Sequence, residues 1–361
     1  MPTPRRWDIF CTVIDNHGDL GVCWRLAAQL RARGQTVRLW VDQAQALAWM
    51  APQAGQDPLL QVLPWDAASD PTVLAQLAPS DVWIEAFGCH LPEAFVAHAA
   101  TRGVRPPVWV NLEYLSAEDW VARMHALPSP VQTGPARGWT KHFFFPGFVP
   151  GTGGLLREPE LPRAPDALRT QAWRAARGAA QQAPCWSLFC YEPTALPDLL
   201  EQAAEQGAHV MVTPGRAQAA VQAALRAGAP TPAHTALPHT DQAGFDDMLH
   251  ACDLNLVRGE DSLVRALWAG APLIWQLYPQ HDNAHHDKLN AFLDWLGADA
   301  DWREAHRVWN GVTQGPLPPL TPARLQRWAH TLHAARARLL AQDDLCTQLL
   351  RQVTGWAALP V

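Results

Sequence analysis

Short continuous apolar runs alternate along this chain with Ala-rich stretches whose apolar positions recur at helical spacing. The run Trp7 to Ile14 is β-rich and uninterrupted, as a strand covered on both faces is. It passes through Asp15-Asn16-His17-Gly18-Asp19-Leu20-Gly21 into a helical pattern over Val22 to Ala32, which Gly34 closes before a second strand at Gln35 to Val41. This predicts a βαβ unit with a polar, glycine-containing loop at the carboxyl end of its first strand. Val82 to Phe87, ending at Gly88, and Val108 to Leu112 are further strands. The stretch from Phe148 to about Gln182 is rich in Gly, Pro and Arg and reads as a connection between domains.

The alternation then starts again. Strands are expected at Trp186 to Tyr191, His209 to Thr213, Asp253 to Val257 and Pro272 to Leu277. Helices are expected at Leu196 to Gln206, Ala217 to Ala227, near Phe245 to Ala251, and at Ser262 to Ala269. A long helix at about Pro322 to Leu340 and a shorter apolar one ending near Ala358 follow. The fold class is therefore α/β, two Rossmann-like doubly wound domains in series, with a cleft between them as the default place for chemistry.

At roughly 100–200 residues per domain, a chain of 361 residues with 48% apolar content suffices for two such cores. The 28 basic against 34 acidic residues give a net charge of −6, which excludes a bulk electrostatic nucleic-acid binder. No apolar stretch is long enough for a membrane span, and Asp8, Asp15 and Asp19 break up any signal-peptide core. The seven cysteines are odd in number and never spaced as CxxC, which fits reduced thiols and a cytoplasmic location. Lys141 and Lys288 are the only lysines, an imbalance that reflects genome composition before function.

Gly18 and Gly21 have the spacing of the last two glycines of a dinucleotide-binding fingerprint, and Asp42 stands where a ribose-binding acid would. Asn16 occupies the first glycine position, however, and Asp15 and Asp19 flank the loop. At an effective dielectric of about 20 and a distance of about 5 Å, each carboxylate opposes a phosphate charge by roughly 3 kcal/mol. Two acids four residues apart suit instead a donor-rich cation. The plainer alternative is that one of them caps the helix starting at Val22.

Arg258-Gly259-Glu260-Asp261-Ser262 lies between the strand DLNLV and the helix SLVRALWAG. The N–H groups of Asp261, Ser262 and Leu263, with the helix dipole, can hold a diphosphate. Ser262 adds a hydroxyl and Arg258 a positive charge. Glu260 and Asp261 cap the helix, bind sugar or ribose hydroxyls, or hold a catalytic group. Phe189, Tyr191, Phe245 and Tyr278 offer flat partners for a nucleobase, although any one of them can equally be core. His281, Asp282, His285, His286 and Asp287 have two imidazoles on one helix face but no obvious third ligand, and a polar helix start explains them as well. No metal site is expected.

FCTVIDNHGDLGVCWRLAAQL, CDLNLVRGEDSLVRALWAGAPLIWQLYPQ and the following HDNAHHDKLNAFLDWL resemble the EarP family of protein-arginine rhamnosyltransferases along essentially the whole chain. The resemblance implies a GT-B fold, two Rossmann-like domains facing across a cleft. It implies inverting transfer of rhamnose from dTDP-β-L-rhamnose to one arginine of translation elongation factor P. The implied domains are 1–165, binding the acceptor, and 182–340, binding the nucleotide sugar, with a helix at about 344–361 packing back on the first. Asp15, Asp19 and Glu260 are the implied catalytic residues, Asp19 being the preferred base. Phe189, Tyr191, Gln242, Phe245, Arg258, Asp261, Ser262 and Tyr278 are the implied donor pocket. No cofactor, nucleic acid or membrane partner is implied. Two other readings share the cleft: a GT-B enzyme glycosylating a lipid or saccharide hydroxyl, which needs only one base, and a non-catalytic nucleotide-sugar-binding protein.

Overall fold

The computed structural model describes residues 4–13, 17–102, 105–159, 161, 166–279 and 284–358. The chain divides into two compact units, one of residues 1–159 with 342–361, the other of 160–341.

The first unit is built on strands β1 (Arg6–Cys11), β2 (Thr36–Val41), β3 (Leu60–Pro64), β4 (Val82–Ala86), β5 (Val108–Leu112), β6 (Pro128–Pro130) and β7 (Thr140–Phe144). Their order is β3-β2-β1-β4-β5-β7-β6, parallel except for the β6–β7 pair. Period-two alternation sends Trp7, Ile9 and Cys11 to one face, where the helices Gly18–Ala32 and Leu345–Ala357 cover them, and Phe10, Trp40, Trp83 and Trp109 to the other. Leu349 and Val353 of the late helix are wholly buried in this first core. Asp8 and Arg38 are direct cross-strand neighbours and both buried. Arg38 donates twice to the Asp8 carboxylate at 2.6 Å, and the Trp40 indole adds a third donor at 2.7 Å. A carboxylate taken out of water is tolerated when its lone pairs are filled in this way.

The second unit is built on β8 (Cys185–Leu188), β9 (His209–Val212), β10 (His234–Ala236), β11 (Leu254–Arg258) and β12 (Leu273–Gln276), all parallel in the order β10-β9-β8-β11-β12. Each sheet thus reverses its winding once, between β1 and β4 and between β8 and β11.

The Gly/Pro-rich stretch beginning at Phe148 is not simply a connection. Phe148, Thr152, Leu155 and Leu156 are buried in the first unit. A Cβ at Gly153 would collide with the Phe144 ring, so that glycine serves close packing rather than looseness. Further on, Ala167–Ala175 is a helix of the second unit, capped by Asp166 and joined to the segment before β11 through Arg174, which reaches the Ala251 carbonyl at 2.6 Å and Asp253 at 2.7 Å. All seven cysteines carry free thiols.

His306 is fully buried in the helix Ala300–Trp309, with its Nδ1 3.0 Å from the Trp302 carbonyl and no hydrogen-bond partner at Nε2. Burial pulls its pKa down from 6.5 to about 4. The unfolded chain therefore binds a proton that the folded one refuses, and stability falls as pH drops from 6.5 to 4. At about 1.36 kcal/mol per unit this amounts to roughly 3 kcal/mol. Urea titrations across that window should show His306→Gln losing correspondingly less than the wild type. Equal losses in both would contradict this account.

Candidate active site

In an open α/β sheet, ligands bind beyond the carboxyl ends of the strands where the winding reverses. In the first unit this is the end of β1 and β4. Asp15 and Asn16 follow β1 but lie outside the described residues. The helix starts at Gly18, not Val22, so Asp19 is in its first turn rather than on the loop. His17 is at the N-cap and makes no side-chain cap bond, so Asp19 is not the cap. A carboxylate in the first turn is favoured by the helix dipole, which accounts for Asp19 at this position.

The Tyr114 hydroxyl donates to Asp19 Oδ2 at 3.4 Å, and the Tyr114 ring stacks on Phe87 with centroids 4.8 Å apart. Phe87, just past β4, has a left-handed φ of 56°. The loop after β1 is braced by Asp42, whose carboxylate accepts the Val13 N–H at 3.0 Å, a backbone role in place of the ribose contact of the fingerprint reading. Glu113, just past β5, receives Asn111 at 2.8 Å, and partial burial raises its pKa above the ordinary carboxylate value. On β4, the buried Glu85 accepts Lys141 at 2.7 Å and the Trp109 indole at 3.0 Å.

In the second unit the corresponding point lies between the ends of β8 and β11. The first of these strands stops at Leu188, so Phe189 and Tyr191 stand beyond it rather than along one strand face. Arg258, the last residue of β11, gathers them. Its guanidinium lies 4.6 Å from the Phe189 ring centroid and 4.5 Å from that of Tyr191, and it donates to the Cys190 carbonyl at 3.3 Å. Phe245 meets Phe189 edge-on at 5.5 Å, and the half-exposed Tyr278 meets Tyr191 edge-on at 5.7 Å. Gln242 opens the helix Gln242–Ala251, one turn before Phe245.

Gly259, at φ 72°, is the N-cap of the helix Glu260–Ala269, which therefore begins two residues earlier than expected. The first-turn N–H groups belong to Glu260, Asp261 and Ser262 rather than to Asp261, Ser262 and Leu263. Ser262 is buried and its hydroxyl donates to the Arg258 carbonyl, so the expected outward hydroxyl is committed to the backbone. Asp261 is half-buried, and Glu260 pairs with Lys288 of the helix Ala284–Leu296. Of the histidine group, His281 and Asp282 lie outside the described residues, while the rings of His285 and His286 touch at 4.3 Å. Among the described residues, no three His, Cys, Asp or Glu side chains converge.

Three features of this cluster escaped the sequence reading. Arg216 forms a two-bond fork with Glu192 at 2.8 and 2.6 Å, holding that carboxyl below its usual range, and lies 4.8 Å from the Tyr191 ring centroid. Gln276 accepts the Tyr191 N–H at 2.8 Å. Lys288 is the partner of Glu260. Its rarity was a usable signal, because a chain that takes arginine for 26 of its 28 basic positions places lysine only here and beside Glu85.

Two doubly wound units in series are shared with solved glycosyltransferases of the GT-B class. A Streptomyces glycosyltransferase, SsfS6, solved with thymidine diphosphate, shares the fold at a TM-score of 0.53 and 12% identity, over 97% of this chain and 99% of that one. A structure solved for EarP-mediated arginine glycosylation of translation elongation factor EF-P superposes at 0.62 with 30% identity, over 98% of this chain and all of that one. The family model described as elongation factor P (EF-P) rhamnosyltransferase EarP matches residues 7–354. The protein-arginine rhamnosyltransferase of Pseudomonas putida is 42% identical over 95% of this chain and 97% of its own. The chain belongs to the EarP family. Among its described residues, no helix is long and apolar enough to cross a membrane.

Proposed function

We propose that this protein acts in the cytoplasm, transferring rhamnose from dTDP-β-L-rhamnose to an arginine side chain of translation elongation factor P with inversion at the anomeric carbon. The observation that carries the reading, beside family membership, is the division of charge: an acid at the switch point of the first unit and a ring-bound arginine with a helix N-terminus at that of the second.

The donor's base stacks among Phe189, Tyr191, Phe245 and Tyr278, with Gln242 and Asp261 supplying polar contacts. Its diphosphate meets Arg258 and the first-turn amides of Glu260, Asp261 and Ser262. These groups stabilise charge on the departing dTDP, a task that does not then call for a divalent cation. Glu260, anchored by Lys288, accepts from hydroxyls of the sugar.

Asp15 and Asp19 grip the acceptor guanidinium. Its pKa exceeds that of an ordinary Asp by about 9 units, or about 12 kcal/mol, which excludes deprotonation ahead of attack. The C–N bond therefore forms as the C–O bond to the diphosphate breaks, and the nitrogen, made acidic by that step, passes its proton to Asp19.

Intact-mass spectrometry of elongation factor P incubated with this protein and dTDP-rhamnose tests the reading. One added deoxyhexose, mapped to arginine, is expected. Unmodified elongation factor P would refute the function.

A further inference from the structure

Large apolar side chains exposed among the described residues are few, and five of the nine fall within one stretch of the first unit: Tyr114, Trp120, Met124, Leu127 and Val149, each 38 to 42% exposed. The segments that carry them pack together. Ser116 bridges to Gly147, the Trp120 ring meets Phe145 edge-on at 5.3 Å, and the backbone of Leu127 accepts from Phe143 at 3.0 Å. A Cβ at Gly151 would touch Ala122, which brings the turn bearing Val149 against the short helix Trp120–Met124. These residues follow β5 and β7, so the patch lies at the carboxyl edge of the sheet. Tyr114 joins it directly to Asp19.

A contiguous exposed apolar patch beside polar groups marks a contact surface. Its charged neighbours decide what kind. Residues 113–127 carry Glu113, Glu118 and Asp119 against one arginine, Arg123, an excess of negative charge along the segment that holds Tyr114, Trp120, Met124 and Leu127. We propose that this patch is where the acceptor protein docks, its apolar side chains covering those around the target arginine and its acids facing a basic rim. The proposal rests on the function argued above and names the partner surface of that same site. The patch would bring the arginine to Asp19 by binding the folded protein around it, which separates acceptor choice from the chemistry.

The test is steady-state kinetics with folded elongation factor P as the varied substrate. The double variant Met124→Ser/Leu127→Ser removes apolar area without adding charge. It should raise KM for the acceptor at least about tenfold, the 1.4 kcal/mol expected from truncating two interface anchors, and leave kcat and donor affinity unchanged. Asp119→Lys is the second variant and should raise KM most at low salt. Leu168→Asp, at a 79% exposed position of the second unit, is the control and should change nothing. Thermal unfolding and donor calorimetry establish that each variant is folded. An unchanged KM in both patch variants, with normal modification by the wild type, overturns the docking surface alone. Wild-type protein that modifies no elongation factor P overturns the function and the surface with it. Sedimentation showing a wild-type dimer that the double variant dissociates would assign the patch to a second copy of this chain and overturn the proposal.

Discussion

Asp19→Asn should slow arginine modification by roughly 10³-fold or more and leave the Kd for dTDP-rhamnose unchanged. Asparagine keeps the shape of the side chain and can still accept from the Tyr114 hydroxyl, which lies 3.4 Å from Oδ2. On the proposed function it loses the negative charge that would hold a guanidinium and the basicity that would take up the proton as the C–N bond forms. The fold should tolerate the change, since a partly exposed acid in the first turn of a helix contributes only about 0.3–1 kcal/mol through the dipole. Single-turnover kinetics with saturating donor, alongside calorimetry of donor binding, separate the two effects. A variant that bound donor poorly yet turned over normally would remove Asp19 from the chemistry.

The second large effect is expected at the other unit. Arg258→Ala should weaken donor binding about 100-fold, near the upper range for a hydrogen-bonded charge. Arg258→Lys, which keeps the charge but loses the planar fork, should fall between that variant and the wild type. Because Arg258 also packs over Phe189 and Tyr191, removing it is expected to loosen these two rings as well. Thymidine, which has no phosphate, distinguishes the causes: its affinity holds if Arg258 acts on the diphosphate and drops if the rings have moved. Intact affinity for the nucleotide sugar in Arg258→Ala would withdraw the phosphate assignment.

The strands that could be read from sequence, β1, β2, β4, β5, β8, β9, β11 and β12, are largely buried and nearly continuous in apolar residues, so periodicity finds them. The short or partly exposed strands β3, β6, β7 and β10 were not legible. β6 is Pro-Ser-Pro, β10 is His-Thr-Ala with both ends exposed, and Lys141 and His142 interrupt β7 because one turns to Glu85 and the other stacks on Trp356. Gly18 and Asp19 read as loop because glycine and aspartate have low helix propensity, yet the first turn is where both are tolerated.

The site was legible as residue types and not as partnerships. Arg258 and its aromatic neighbours could be nominated from strand ends. The Lys288–Glu260 pair and the Arg216–Glu192 fork depend on chain reversals that no local pattern encodes. Glycine content misled the reading of the stretch after Phe148, because composition does not distinguish a glycine needed for mobility from one needed for close approach, as at Gly153.

The helix Leu345–Ala357 completes the first core, although the ribosome makes it only after the whole of residues 160–341. The unit translated first must therefore wait with part of one apolar sheet face uncovered while the inserted unit, continuous in sequence, is free to finish. Folding order should run opposite to synthesis order, and a nascent chain stalled before this helix should be the form that chaperones hold.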